Sequence, residues 1–100
     1  MTEKEYADLD LAVARAEIAS GKLDIKVSDY GFPTIMVDDR QWEPFRPSVH
    51  AGHAWPIIEE HWPSIVARLH AQHGEGWANL MARDVPLLVA FMRAYLAMRS

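Results

Sequence analysis

The 100-residue chain contains no cysteine. That excludes disulfides, thiolate metal sites and cysteine nucleophiles, and it fits a reducing compartment. No apolar run approaches the ~20 residues that a membrane-spanning helix requires. The opening MTEKEYADLD is polar and acidic, so neither a secretory nor a transit signal is expected there. Clustered basic residues are missing as well. Ten Lys and Arg face fourteen Asp and Glu, for a formal net charge of -4. Duplex nucleic acid is held by several clustered cations, so it is not an expected partner. There is no HExxH zinc motif and no GxSxG nucleophile elbow.

Half of the residues are hydrophobic and 10% are aromatic, which describes a folded core rather than a disordered chain. The length allows one domain over residues 1–100 with one modest core. Charge is unevenly placed. Residues 1–39 hold nine acids and four bases, whereas residues 40–100 hold five acids and six bases. All six bases of the second part are arginines, and all five histidines lie there too. Arginine suits bidentate contacts to phosphate or carboxylate and stacks on flat rings.

Periodicity divides the chain into elements. Leu9, Val13 and Ala16, with Ala12, recur at helical spacing, and Gly21 is a natural stop. Leu23, Ile25 and Val27 then alternate with Asp24, Lys26 and Ser28, which predicts a strand. Asp29, Gly31 and Pro33 supply turn chemistry, and Thr34 to Val37 form the return strand of a hairpin. Residues 38–53 read as a loop. A helix is expected from Ala54 or Trp55, with Pro56 in its first turn and its end by Pro63. Residues 64–82 fit either a helix through Gln72 or a second hairpin, with Ile65, Ala67 and Leu69 alternating and HGEG as the turn. A last helix is capped by Asp84 and carries a stripe of Leu87, Leu88, Phe91, Tyr95 and Met98, widened by Met92 and Leu96. Phe91, Tyr95 and Met98 serve a core or a subunit interface.

Residues 45–62, FRPSVHAGHAWPIIEEHW, carry the densest chemistry. Two H-x-x-H pairs occur, His50/His53 and His70/His73, and on a helix each pair shares a face. Without cysteine or HExxH they read as exposed or hydrogen-bonded histidines, and no metal or other cofactor is expected. Ser48 and Ser64 lack a nucleophile motif, and the adjacent Glu59 and Glu60 point apart, so catalysis is not expected either. Arg40, Trp42, Arg46, His50, His53 and Trp55, with Ser48 among them, are the parts of a ligand site. Arginines grip phosphate, tryptophans stack on a base at ~1–3 kcal/mol each, and a helix N-terminus beside Pro56 offers free N–H groups. The plainer alternative makes Trp42 and Trp55 lids on the core and pairs the arginines with Asp38, Asp39 or Glu43.

Three segments together resemble the phage NinX-like family, small proteins of uncharacterised role in tailed-phage genomes. DLDLAVARAE is similar to its opening helix, RPSVHAGHAWPIIEE to its Pro-Ser and Pro-Ile-Ile-Glu signature, and PLLVAFMRAYLAMR to its closing helix. The match falls on Pro47, Ser48, Pro56, Ile57, Ile58, Glu59, Pro86, Leu87, Met92 and Arg93. Between Ser48 and Pro56 this chain departs from the family's polar run; if that run contacts a shared ligand, the departure implies a different ligand here, or none. The resemblance implies a strand pair after the central helix. The expected fold is therefore α+β in the order α-β-β-α-β-β-α, with an antiparallel sheet of about four strands. It also implies a phage accessory protein in the host bacterial cytoplasm. The expectation is a non-catalytic, homo-oligomeric anti-defence protein that sequesters a small anionic nucleotide-type signal. The alternative is a protein-binding inhibitor that docks through its acidic first part, around Asp38 and Asp39.

Overall fold

The computed structural model describes residues 2–38, 41–74, 76 and 86–99. Thr2 opens the first helix, α1 (Glu3–Ala19), with a reciprocal cap: its hydroxyl accepts the Glu5 N–H, and the Glu5 carboxylate accepts the Thr2 N–H. The Thr2 N–H and hydroxyl, both donating to the carboxylate, hold the Glu5 carboxyl below its usual range. The helix ends at Ala19, and Gly21 follows at a left-handed φ of 97°. The buried stripe of α1 is Leu9, Asp10, Val13, Ala14 and Glu17, so two carboxylates share a face with the apolar residues.

Three strands follow: β1 (Ile25–Val27), β2 (Pro33–Asp38) and β3 (Gln41–Pro44). They form an antiparallel sheet in that order. Ser28 closes the first turn, donating its N–H to the Phe32 carbonyl and accepting the Phe32 N–H on its hydroxyl. One row of the sheet is Ile25, Ile35 and Glu43, and the next is Lys26, Thr34 and Pro44. Alternation puts Ile25, Val27 and Ile35 against the core, leaving Lys26, Thr34, Met36 and Trp42 on the outer face. β3 falls inside the segment expected to be loop. QWEP holds one Pro and one Glu, and pairing with β2 rather than its own propensity makes it a strand.

The second helix, α2 (Ala51–His73), starts one turn earlier than expected and runs past Pro63. The Arg46 carbonyl accepts the Val49 and His50 N–H groups, and the His50 carbonyl accepts those of His53 and Ala54, so winding begins before Ala51. Pro56 therefore sits in the second turn. Pro63 removes one N–H and crowds the carbonyl four residues back, and the helix kinks at His61 (φ -115°, ψ 17°) without ending. Ile65 and Leu69 are buried while Ala67 is exposed, which is a four-residue period. This overturns the first strand of the expected second hairpin. Its return strand, and the expected Asp84 cap, lie in residues 77–85, outside the described residues. The four-strand sheet is likewise replaced, among the described residues, by three strands, and the order is α-β-β-β-α-α. The α+β class stands.

The last helix, α3 (Leu87–Arg99), packs against both α1 and α2. Sandwiched so, it buries Val89, Ala90, Phe91, Met92, Ala94 and Tyr95, more than a single stripe. Phe91 and Tyr95 belong to the core of the chain, and Met98 packs at its margin. The Tyr95 hydroxyl donates to the buried Glu17 carboxylate at 2.9 Å and ties α3 to α1. Arg68 of α2 donates to the Ala97 carbonyl at 2.9 Å. No described helix is long and apolar enough to cross a membrane.

Candidate functional site

Between α1, the β1–β2 turn and the β3–α2 connection lies an open cleft of about 420 Å³. Its α1 wall is Glu3, Ala7 and Asp10, at spacings of four and three and so on one helical stripe. Phe32 and Pro33 form the facing wall, and Phe45 and Arg46 close the third side. Phe32 is 68% exposed, so its ring is a lip rather than part of the core.

The Asp10 carboxylate is buried and accepts the Ser48 N–H at 2.8 Å. Burial pushes its carboxyl above the usual range, while the hydrogen bond from the Ser48 N–H and the charge of Arg46 pull it down. The buried Ser48 hydroxyl has no hydrogen-bond partner.

Behind Arg46 is a second polar cluster. The Arg46 N–H donates to His53 Nδ1 at 3.0 Å, which leaves the His53 proton on Nε2. That N–H then donates to Glu43 Oε1 at 2.6 Å. His50, the N-cap residue of α2, stacks on His53 with ring centroids 4.0 Å apart and planes inclined by 15°. Gly52 permits this, since a Cβ there would come within 3.0 Å of the His50 ring.

Donor atoms of Glu43, His50 and His53 lie within 4.8 Å of one another. Their arrangement opposes metal ligation. A ligating Nε2 needs its proton on Nδ1, but the Arg46 N–H occupies Nδ1. Near-parallel rings also direct their in-plane lone pairs along near-parallel planes, not to one point at the ~2.0–2.1 Å of a zinc–nitrogen bond. The cluster is a hydrogen-bonded latch that fixes the backbone at Arg46.

The structure thus brings together four of the expected site residues, Arg46, Ser48, His50 and His53, and only Arg46 lines the cleft. Trp42 does not join them: it lies on the outer face of the sheet with Lys26 Nζ 4.6 Å from its ring centroid. Trp55 is exposed on α2 and does not border the cleft. The expected pairing of these rings on one base is corrected accordingly. Strand alternation sends Trp42 outward, and the helix phase of α2, buried at His53, Ala54, Ile57 and Ile58, sends Trp55 to solvent. Arg40 is outside the described residues.

Sequence reasoning missed Asp10 and Phe32, and it offered Glu43 only as a partner for an arginine, not for His53. Asp10 carried a signal, since Asp10, Val13 and Glu17 recur at helical spacing on the apolar stripe. Phe32 and Glu43 carried none, because their roles depend on a turn and a strand pairing that only the fold sets. The chain matches no family profile, no curated protein and no solved structure.

Proposed function

We propose that the chain is a non-catalytic binding protein that takes a small anionic nucleotide-type ligand into the cleft beside Arg46. The observation that carries this reading is Arg46 itself. Its side chain is exposed at the cleft while its backbone is clamped by His53, so the guanidinium stands on a rigid base. The Phe32 ring offers a stacking face on the opposite side. The cleft volume lies within the ~300–1,000 Å³ range of small-molecule sites. In the setting implied by the NinX-like resemblance, the protein withdraws an immune signal inside the host bacterial cytoplasm, as a homo-oligomer. The oligomer contact then uses surface other than the buried Phe91 and Tyr95.

Calorimetry against cyclic di- and trinucleotides and ADP-ribose-type compounds tests the reading. One of them binds at micromolar concentration, and heating the complex releases it unchanged. Arg46→Ala weakens binding by about 1.5–3 kcal/mol, the range for a charge-assisted hydrogen bond. It leaves the melting temperature of the empty protein nearly unmoved, because the alanine keeps the N–H that holds His53. Absence of binding by the whole panel refutes the reading.

A second reading, a protein-docking inhibitor, draws on side chains exposed just before and within the hairpin. Leu23 is 89% and Tyr30 87% exposed, and Asp38 lies exposed on β2. A purified sample holding a stoichiometric host protein and no small molecule favours it over the first.

A further inference from the structure

We propose that the His53 latch is a proton-operated switch: when the imidazole takes a second proton, it keeps Glu43 and releases the Arg46 backbone. The switch belongs to the empty protein and does not depend on any ligand. His53 is 7% exposed, and its ring is held at both nitrogens. Nδ1 accepts the Arg46 N–H at 3.0 Å, so it is the nitrogen that must take the added proton. Once it carries a hydrogen, two donors face each other where one hydrogen bond was. Nε2 behaves oppositely. It donates to Glu43 Oε1 at 2.6 Å in either charge state, and a charged ring strengthens that bond. The ring therefore stays with β3, and the connection bearing Arg46 is the part that moves.

Charged groups on every side of the ring act on that proton. Glu43 of β3 favours the imidazolium, and so does Asp10 of α1, whose carboxyl responds to the His53 charge. Glu17 of α1, Asp24 ahead of β1 and Glu60 of α2 line a small cavity that His53 also borders, and they act in the same sense. Lys22, in that cavity and paired with Glu60, opposes them, as does the Arg46 guanidinium. His50 also opposes, because its ring is stacked 4.0 Å from His53 and two imidazoliums there repel. The His50 side chain is exposed and makes no capping hydrogen bond, so it can turn toward solvent. The Phe45 N–H is tied to the Pro33 carbonyl at 3.0 Å, so loosening starts at Arg46. The Arg46 carbonyl accepts the Val49 and His50 N–H groups, so the change passes from the third side of the cleft to the start of α2.

The test is nuclear magnetic resonance of the isotope-labelled chain, without ligand, across about pH 5 to 8, where histidine ordinarily changes charge. Long-range imidazole correlations report the tautomer and charge of His53, and amide exchange reports the Arg46 N–H. The expected result is a ring protonated on Nε2 alone at the alkaline end. As the ring charges, the Arg46 amide shift follows the same curve. Its protection against exchange falls by about 10- to 100-fold, the worth of one hydrogen bond to a buried partner. In His53→Asn the side-chain oxygen stands where Nδ1 does and gains no proton, so the Arg46 amide holds steady over the interval. Glu43→Gln keeps an acceptor for the Nε2–H without the charge. It moves the Arg46 transition to lower pH and carries the test if His53→Asn does not fold. An Arg46 amide unmoved while His53 charges overturns the proposal. So does a ring protonated on Nδ1 at the alkaline end, or one that stays neutral until the chain unfolds. An Arg46 transition that persists in His53→Asn, or stays at the same pH in Glu43→Gln, overturns it as well.

Discussion

At the scale of single residues, the site is organised by buried polar groups rather than by the exposed aromatics. Asp10 is a carboxylate on the apolar stripe of a helix, and the fold tolerates it because the Ser48 N–H is aimed at it. Its raised pKa makes it a source of pH dependence. A carboxyl that binds its proton more tightly in the folded state stabilises the fold most below its unfolded value, 3.8, and that contribution is lost as pH rises through the raised value. Urea denaturation of the wild type and Asp10→Asn at a series of pH values from 3.8 upward measures this. The expected outcome is that the wild type loses stability relative to the variant as pH rises. A constant difference across the range contradicts the assignment. His53 shows a different economy: both ring nitrogens are engaged, so this expected ligand contact holds the Arg46 backbone instead.

At the scale of elements, α2 is the clearest case of two readings separated by packing. Ile65, Ala67 and Leu69 satisfy a period of two, and Ile65 with Leu69 satisfies a helical step of four. The contacts of α2 with α3 select the second. Substitution with a charge distinguishes them. Ala67→Lys is expected to leave stability within about 0.5 kcal/mol, as for an ordinary surface position. Ile65→Ala is expected to cost about 2–5 kcal/mol, as for a fully buried isoleucine. Far-ultraviolet circular dichroism of both, with thermal melts, checks the pair; equal losses at 65 and 67 point to a strand. The kink at His61 is likewise local in origin, since Pro63 dictates it, but only packing shows that the helix resumes beyond it.

At the scale of the whole molecule, α3 is the central strut, and Tyr95 joins it to α1 through Glu17. Burial, then the hydrogen bond to Glu17, raises the Tyr95 phenol far above its usual value of 10.0. In the unfolded chain the phenol ionises near 10.0, so its stabilising contribution is whole below that pH and is lost as pH rises beyond it. Tyr95→Phe leaves the buried Glu17 carboxylate without this donor and is expected to cost about 1–3 kcal/mol at neutral pH. The variant also shows a shallower fall of melting temperature above pH 10.0 than the wild type. If the alkaline profiles of the two coincide, Tyr95 is not the group responsible.

What the sequence determined by itself was local: α1 with its stop before Gly21, the β1–β2 hairpin with its turn around Gly31, and the apolar character of α3. Each follows from short-range periodicity and turn chemistry, which neighbouring residues impose on one another. The α+β class followed from those elements. The tertiary structure alone decided whether residues 65–69 wind or extend, that QWEP is a third strand, and which candidate site residues meet. Trp42 and Trp55 stand 13 positions apart in the chain, yet a strand turns one outward under Lys26 and a helix turns the other to solvent. Asp10 and Ser48 are 38 positions apart and share a hydrogen bond. Side-chain direction depends on the phase of each element against its neighbours, and that phase is set by packing across the core, which no local pattern of residues specifies.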